Sequence, residues 1–480
     1  MTTLAFDALE YRADQSFATA RYRYVGDEQS GWTVERDGKP ALALGPGYRA
    51  LRVRQCGVCS TDLARHHLPF PLPQVIGHEV VAVDADGRRY VVEINASHEA
   101  RGVAHTCAFC QAGLPTHCPD RVTLGIHDLP GGFGPWILAP VAACLEVPPT
   151  IPDDVAVLVE PFAAALHAVR TIAPRADERI AVLGPRRLGM LVVAALAAVR
   201  TAMNRHERGF DVAAVVRDPA LAGLARTFGA TEAHVLNGPP EALARAFDVV
   251  IDTTGNPDGL ATAVALARRE VHLKSTHGQP ACGLHRLTDL VVDEIGIARF
   301  PREAPVADSA PWSALRTGPR ARVAWTCAKA PPAWLTATAD VQRGDAATLA
   351  AHYARATAGL PRADVVVADS AAGVDAAIRP RPGHEQALVR PRGLLLLHAD
   401  ADTSTSPLLA AIGGRGLRLS SSRCGGFRQA LDLLASTPEL ARLGERLVTH
   451  TFAGRDLAQA FTVARSRGCI KAVVQQEPVQ

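Results

Sequence analysis

From Glu178 onward short apolar runs alternate with Ala/Leu-rich stretches of helical length, and few folds accommodate that rhythm. Arg179 to Leu183, Asp211 to Val216, Asp248 to Ile251 and Val271 to Lys274 are strand-like runs separated by helix-length segments, the pattern of a doubly wound parallel sheet. Before it, up to about Pro149, the chain is rich in Gly and Pro. Short β-branched runs such as Leu51 to Arg54, Val80 to Val83 and Tyr90 to Ile94 predict a β-barrel-like domain there, with long loops and few helices. A chain of 480 residues exceeds what one core usually serves, so two or three domains are expected.

Between residues 301 and 360 the rhythm breaks, with Pro301, Pro305, Pro311, Pro319, Pro331 and Pro332 interrupting any long element. It then resumes in a form that echoes what came before. Asp364-Val365-Val366-Val367 matches Asp248-Val249-Val250-Ile251, Leu394 to Leu397 matches Val271 to Lys274, and Gly416-Leu417-Arg418-Leu419 matches Gly296-Ile297-Ala298-Arg299. Two explanations stand: a partial duplication of the second half of the sheet, or an unrelated α/β insertion. With the resemblance that the metal-ligand motifs below imply, the expected organisation is a catalytic domain over residues 1–165, completed by about 435–480, and a dinucleotide-binding domain over 166–300. An insertion over 301–415 and a return to the dinucleotide domain over 416–434 complete it.

Composition narrows the function. A net charge of +3 without blocks of like charge gives no electrostatic footprint for nucleic acid or an anionic membrane, so a small-molecule substrate is expected. Met1 to Asp14 carries acidic residues and lacks a basic region followed by an apolar stretch, which predicts a cytoplasmic protein. The apolar run Leu188 to Val199 is too short to span a bilayer and follows Arg186 and Arg187 directly. Of ten cysteines, five lie between Cys56 and Cys118 beside His and Asp, and in a reducing compartment such clusters bind metal more often than they form disulfides. Cys144, Cys282, Cys327, Cys424 and Cys469 are scattered and read as small buried hydrophobes.

The most informative chemistry lies in Gly57-Val58-Cys59-Ser60-Thr61-Asp62, followed by Gly77-His78-Glu79 and then Glu160-Pro161. Thiolate, imidazole and carboxylate together suit a borderline ion such as zinc, and a catalytic zinc takes three protein ligands while keeping one position open. Cys59, His78 and Glu160 can fill those three positions.

Gly-x-Cys-x-x-Asp, Gly-His-Glu and Glu-Pro, in that order and ahead of a dinucleotide fold, resemble the zinc-dependent alcohol dehydrogenases of the medium-chain dehydrogenase/reductase superfamily. The sorbitol and threonine dehydrogenase-like branch is the nearest to this pattern. The resemblance covers residues 40–300 and 416–475 and leaves the inserted segment without a counterpart. It implies an α/β architecture, a GroES-like β-barrel catalytic domain plus a Rossmann doubly wound parallel sheet, here with an inserted α/β segment. It further implies that Cys59, His78 and Glu160 hold the catalytic zinc and that Glu79 sits beside it as an exchangeable ligand. Thr61 matches the hydroxyl that passes the substrate proton towards solvent, and Asp62 the carboxylate that orients the imidazole. One departure is Ala64, where the family often carries histidine. His66 or His67 either substitutes in the proton path or is solvated surface.

Cys107-x2-Cys110-x7-Cys118 resembles the lobe that holds a structural zinc in the same family. The usual pattern has a fourth cysteine where this chain has Ala104, and a closed structural site needs four ligands. His98 or His105 completes the set, or the lobe holds no metal.

Ala181-Val182-Leu183-Gly184-Pro185-Arg186-Arg187-Leu188-Gly189 stands where a first strand turns into a helix, the place of the dinucleotide fingerprint. Gly184 and Gly189 match its first and third glycines. Arg186 replaces the second, which normally lets the backbone approach the pyrophosphate. Arg186 either pairs with a phosphate at the positive end of the following helix, or the site has lost affinity. Arg217 at the end of the second strand suits the 2′-phosphate of NADP, while Asp218 keeps NAD open. Thr254 and Ser275, in the loops Asp252-Thr253-Thr254-Gly255 and Lys274-Ser275-Thr276-His277-Gly278, are expected to line the cofactor, because ligands gather outside the carboxyl ends of parallel strands.

The expected activity is therefore hydride transfer between an alcohol or polyol and NADP or NAD, with zinc as the Lewis acid. The alternative is a catalytically impaired zinc-binding protein whose insertion serves as a binding module. A zinc-free quinone or enoyl reductase would lack the Cys, His and Glu set. The resemblance also implies a homodimer or homotetramer.

Overall fold

The computed structural model describes all residues except 69, 99, 102, 104, 105, 204–208, 239, 240, 276, 277, 304–319, 356–359, 380–386 and 478–480. Ala104, His105, Thr276, His277, Pro305, Pro311 and Pro319 therefore lie outside the described residues. The chain forms two compact units, Met1–Ala163 with Cys424–Gln480, and Ala164–Arg423.

The first unit is built on a seven-stranded sheet. Its path runs Cys144–Glu146, Arg89–Val92, Glu79–Val83, Tyr48–Gly57, Lys471–Gln475 and Val448–Ala453, and Trp136–Pro140 also pairs with Tyr48–Gly57. An element not anticipated from the sequence precedes it. The strands Thr2–Tyr11, Phe17–Asp27, Gly31–Arg36 and Lys39–Leu44 make an antiparallel meander. Buried and exposed positions alternate along Phe17–Asp27, as expected where one face packs and the other meets water. Its buried face contributes Phe6, Tyr22, Tyr24 and Trp32 to the same core as Leu51, Val53 and Val80.

The first unit also takes more of the C-terminal segment than expected. Sequence placed the change of domain near residue 435, whereas it falls between Arg423 and Cys424. Helix Phe427–Ser436 accounts for the difference. Phe427, Ala430, Leu431 and Leu434 form one buried stripe at helical spacing.

Among the described residues the second unit holds an eleven-stranded sheet. In chain order its strands are β1 (Arg179–Leu183), β2 (Asp211–Val216), β3 (Glu232–Val235), β4 (Phe247–Asp252), β5 (Ala267–Leu273), β6 (Gly296–Arg299), β7 (Arg322–Trp325), β8 (Asp340–Arg343), β9 (Ala363–Ser370), β10 (Val389–Asp402) and β11 (Arg418–Ser421). Across the sheet they run β3-β2-β1-β4-β5-β11-β6-β10-β9-β7-β8. The central strands are apolar almost throughout because helices cover both faces of such a sheet. In β4, for example, Val249, Val250 and Ile251 are fully buried. The segment expected as an insertion is thus no appendage, since β7 to β10 continue the same sheet. No described helix is long and apolar enough to cross a membrane.

Candidate zinc and dinucleotide sites

Cys59 ends the turn that follows strand Tyr48–Gly57 and caps the four-residue helix Ser60–Leu63. Its backbone N–H donates to Asp62 Oδ2 at 2.8 Å, which fixes the Asp62 carboxylate beneath the turn. The other oxygen, Oδ1, lies 3.3 Å from His78 Nδ1, and both side chains are almost wholly buried. Burial opposes the imidazolium form of His78. The Asp62 carboxylate and the Cys59 thiolate, which also bonds the ring, outweigh it and hold the pKa well above the ordinary histidine range. The buried His78 Nδ1 nevertheless has no hydrogen bond of acceptable geometry. Sulfur and carboxylate thus act together on the buried His78 ring.

Glu160 lies in the first turn of helix Val159–Ile172. Its charge is felt by two neighbours in this unit, Glu93 and Lys471. Burial, followed by the charge of Glu160, pushes the Glu93 carboxyl up to about 8. Among the described residues, Cys59, His78 and Glu160 do not close to the tight mutual spacing found in the cysteine lobe. Glu79 is 1% exposed and paired with the ammonium of Lys471, which also donates to Val58 O at 3.1 Å. Burial disfavours the Lys471 ammonium, but Glu79, with Cys59 and Glu160, raises its pKa. The carboxylate anticipated as an exchangeable ligand is therefore engaged by a lysine that sequence reasoning passed over. The signal was a charged residue opening the otherwise apolar strand Lys471–Gln475.

Thr61 lies within the helix that Cys59 caps. His66 shares a hydrogen-bonding contact of 3.4 Å with Tyr11 OH, and His67 is exposed. Tyr11 belongs to the N-terminal meander, so His66 is spent on packing that sheet.

In the cysteine lobe the three thiols and one histidine converge. Cys107 Sγ lies 3.8 Å from both Cys110 Sγ and Cys118 Sγ, and His98 Nδ1 lies 3.1 Å from Cys118 Sγ and 3.7 Å from Cys110 Sγ. The four ligand atoms all fall within 4.8 Å of one another. Two sulfurs each about 2.3 Å from a tetrahedral zinc stand about 3.8 Å apart, so the lobe has the dimensions of a zinc site made by three sulfurs and one nitrogen. Asp120 Oδ2, 3.3 Å from His98 Nε2, fixes the ring with Nδ1 towards the sulfurs. Asp120 was not singled out from sequence.

In the second unit Gly184 closes β1 at φ +68°, and its N–H bonds Val215 O at 2.9 Å. A Cβ there would stand 2.6 Å from Thr254 Cγ2, and one on Gly189 would stand 2.5 Å from Thr253 Oγ1. The two glycines thus let the turn and the helix Arg187–Met203 pack against the loop after β4. Arg186 and Leu188 flank the start of that helix and are half-buried. Thr254 donates from both N and Oγ1 to Asp252 Oδ1, at 2.9 and 2.7 Å. Burial outweighs these bonds and raises the Asp252 pKa to about 6. Ser275 Oγ lies 3.5 Å from Thr253 O. Arg217 is exposed at the end of β2, and Asp218 is occupied as the cap of helix Pro219–Thr227, accepting from Ala220 N at 2.9 Å.

The Alcohol dehydrogenase GroES-like domain family matches residues 45–149. L-threonine 3-dehydrogenase of Aeromonas salmonicida is 29% identical over 250 residues, which span 50% of this chain and 70% of that protein. Among solved structures, an alcohol dehydrogenase of Thermotoga maritima superposes with a TM-score of 0.55 at 15% identity, covering 99% of this chain and all of that one. A zinc-binding dehydrogenase of Sinorhizobium meliloti, solved with NADP, gives 0.54 at 18% identity over 98% of this chain and 99% of that one. At those identities the structural likeness speaks to the fold, while the sequence matches speak to descent. The GroES-like domain match and the L-threonine 3-dehydrogenase relatives support placing the chain with the zinc-dependent alcohol dehydrogenases of the medium-chain dehydrogenase/reductase superfamily.

Proposed function

We propose that this protein transfers a hydride between the carbinol carbon of a small alcohol or polyol and a nicotinamide dinucleotide, with zinc held by Cys59, His78 and Glu160. The observation that carries the reading is the buried His78 ring, 3.3 Å from the Asp62 carboxylate and held well above the ordinary histidine range by that carboxylate and the Cys59 sulfur. Bound zinc supplies Lewis acidity, and the dinucleotide takes up or gives the hydride.

The chain's own groups do the remainder. Asp62 holds the His78 ring and sets which nitrogen faces the sulfur. The Thr61 hydroxyl hands the substrate's proton towards solvent. Lys471 neutralises Glu79 and so limits the negative charge packed around the three ligands. Arg186 meets a phosphate at the positive end of the seventeen-residue helix Arg187–Met203. Arg217 receives the 2′-phosphate of NADP, a preference supported by Asp218 already serving as a helix cap. The lobe of His98, Cys107, Cys110 and Cys118 holds a second, structural zinc.

Elemental analysis of freshly purified protein tests this directly, together with NADPH and NADH titrations and a panel of secondary alcohols. Two zinc ions per chain are expected. A Cys59→Ser variant should keep one of them and lose alcohol oxidation while still binding NADPH. Full activity in that variant would remove the proposed site.

A further inference from the structure

The large sheet consists of two similar arrangements laid edge to edge, and the backbone register shows which residues correspond. In the first, Ile180 stands beside Val249 and Val249 beside Glu270. In the second, Val323 stands beside Val365 and Val365 beside Leu394. Polar contacts repeat in step. Arg179 N donates to Asp248 Oδ2 and Arg322 N to Asp364 Oδ2, each at 2.9 Å. Asn256 caps the helix after β4 by accepting from Gly259 N, and Ser370 caps the helix after β9 by accepting from Gly373 N. The likeness thus reaches β7, beyond the portion echoed in the sequence.

Each arrangement is completed by a strand from the other side of the chain. β11, which follows the second arrangement, pairs in parallel with β5 of the first. β6, which precedes the second, pairs in parallel with β10 of it. Leu419 lies beside Val271 and Ile297 beside Leu395, so Leu419 and Ile297 hold equivalent places. The register equates Gly296 with Arg418, two residues on from the echo visible in sequence. Leu419 and Ile297 are also partners across the antiparallel contact of β11 with β6, and both are fully buried. A residue paired with its own counterpart marks a two-fold axis, the feature of an isologous interface between two copies.

The second arrangement keeps the sheet except for a counterpart of β3, and replaces the phosphate turn. β1 leads through Gly184 into seventeen helical residues. β7 leads through Thr326 to Pro332, without a glycine, into the six-residue helix Ala333–Thr338. Trp325, at the end of β7, packs against Phe300 and His398 at ring-centroid distances of 5.4 and 5.7 Å, and Trp334 stacks on Phe300 at 5.6 Å. Trp325 Nε1 donates to Lys329 O at 2.6 Å and ties the loop down onto this cluster.

We propose that residues 296–415 are an internal counterpart of the dinucleotide-binding sheet, occupying within one chain the strand edge at which a second copy of that sheet would otherwise pair. An uncovered edge strand offers a row of unpaired N–H and C=O groups to other chains. Here β11 is hydrogen-bonded on both sides, and the outermost strand of the second arrangement, β8, carries Asp340, Gln342 and Arg343. The exchange of β6 and β11 holds the halves together, because separating them requires both strands to be withdrawn. The protein is a single-chain pseudo-dimer, with one dinucleotide-binding half and one structural half.

The test is a protein carrying Ile297→Cys and Leu419→Cys, oxidised at low concentration and analysed by non-reducing electrophoresis and peptide mass spectrometry. The expected product is a single chain in which the peptide holding position 297 is linked to that holding 419. Two chains joined through these positions would overturn the proposal, because the counterpart would then come from another molecule. Should the substitutions at these buried sites prevent folding, light scattering on the natural protein decides: the mass of one chain is expected, and a two-chain particle overturns the inference.

Discussion

Lys471 and Glu79, 392 residues apart in the chain, form a buried ion pair whose ammonium also feels the charges of Cys59 and Glu160. Lys471 opens the last strand of the sheet and Glu79 follows the histidine of the Gly-His-Glu segment. The pair therefore joins the C-terminal return of the chain to the strand that presents His78.

Removing one partner of such a pair leaves an uncompensated charge in a dry interior. Lys471→Met is expected to destabilise the protein by about 3–5 kcal/mol, and the double variant with Glu79→Gln to recover a large part of that loss. Urea unfolding of Lys471→Met, Glu79→Gln, the double variant and the natural protein measures both steps. An additive pair would show that the two groups do not interact energetically.

The lobe gives a prediction that separates structural from catalytic metal. With three sulfurs and one nitrogen at tetrahedral spacing, His98→Ala removes the fourth ligand and opens the site. Zinc content should fall from two ions per chain to one, with a lower thermal midpoint, while alcohol oxidation at low temperature persists. Metal analysis alongside calorimetry checks it. Retention of both ions in the variant would remove His98 from the ligand set.

What the sequence revealed and what it hid follow from how local each signal is. Cys59, His78 and Glu160 could be singled out as candidates because ligand chemistry restricts residue type at each position, and the parallel sheet was legible because strands buried on both faces read as apolar runs. Lys471 was not, since its partner lies almost the whole chain away and a lone lysine carries no spacing. His98 stood as one of two candidates, because the fold of the lobe rather than sequence distance brings it to the sulfurs. The meander Thr2–Leu44 was merged with the barrel, as its alternating pattern is shared by any half-buried strand. The correspondence of Ile297 with Leu419 was read two residues out of register, because β6 and β11 are four residues each and only hydrogen-bonded neighbours fix their alignment.

Arg217 sets a cofactor prediction. An arginine exposed at the end of β2, beside an aspartate already used as a helix cap, favours the extra phosphate of NADP. A hydrogen bond to a charged group contributes about 1.5–3 kcal/mol, so Arg217→Ala should weaken NADPH binding by roughly tenfold or more and leave NADH within a few-fold. Fluorescence titration of both dinucleotides measures the ratio, and equal weakening of the two would take Arg217 away from the 2′-phosphate.

Asp252 ties the dinucleotide loop to pH. Burial raises its pKa to about 6 in the folded protein, while Thr254 bonds the carboxylate and offsets part of that cost. An unfolded aspartate titrates near 3.9, so the folded state holds the proton more tightly and this side chain's contribution to stability is fully present below about pH 4. It is lost as pH rises through about 6, by roughly 2–3 kcal/mol for a shift of about two pH units. Asp252→Asn keeps an acceptor for both Thr254 donors and cannot ionise. Relative to the natural protein, that variant should therefore gain stability between pH 4 and pH 7. Urea midpoints measured across this range decide the matter, since a constant difference between the two proteins would mean that Asp252 titrates no differently folded than unfolded.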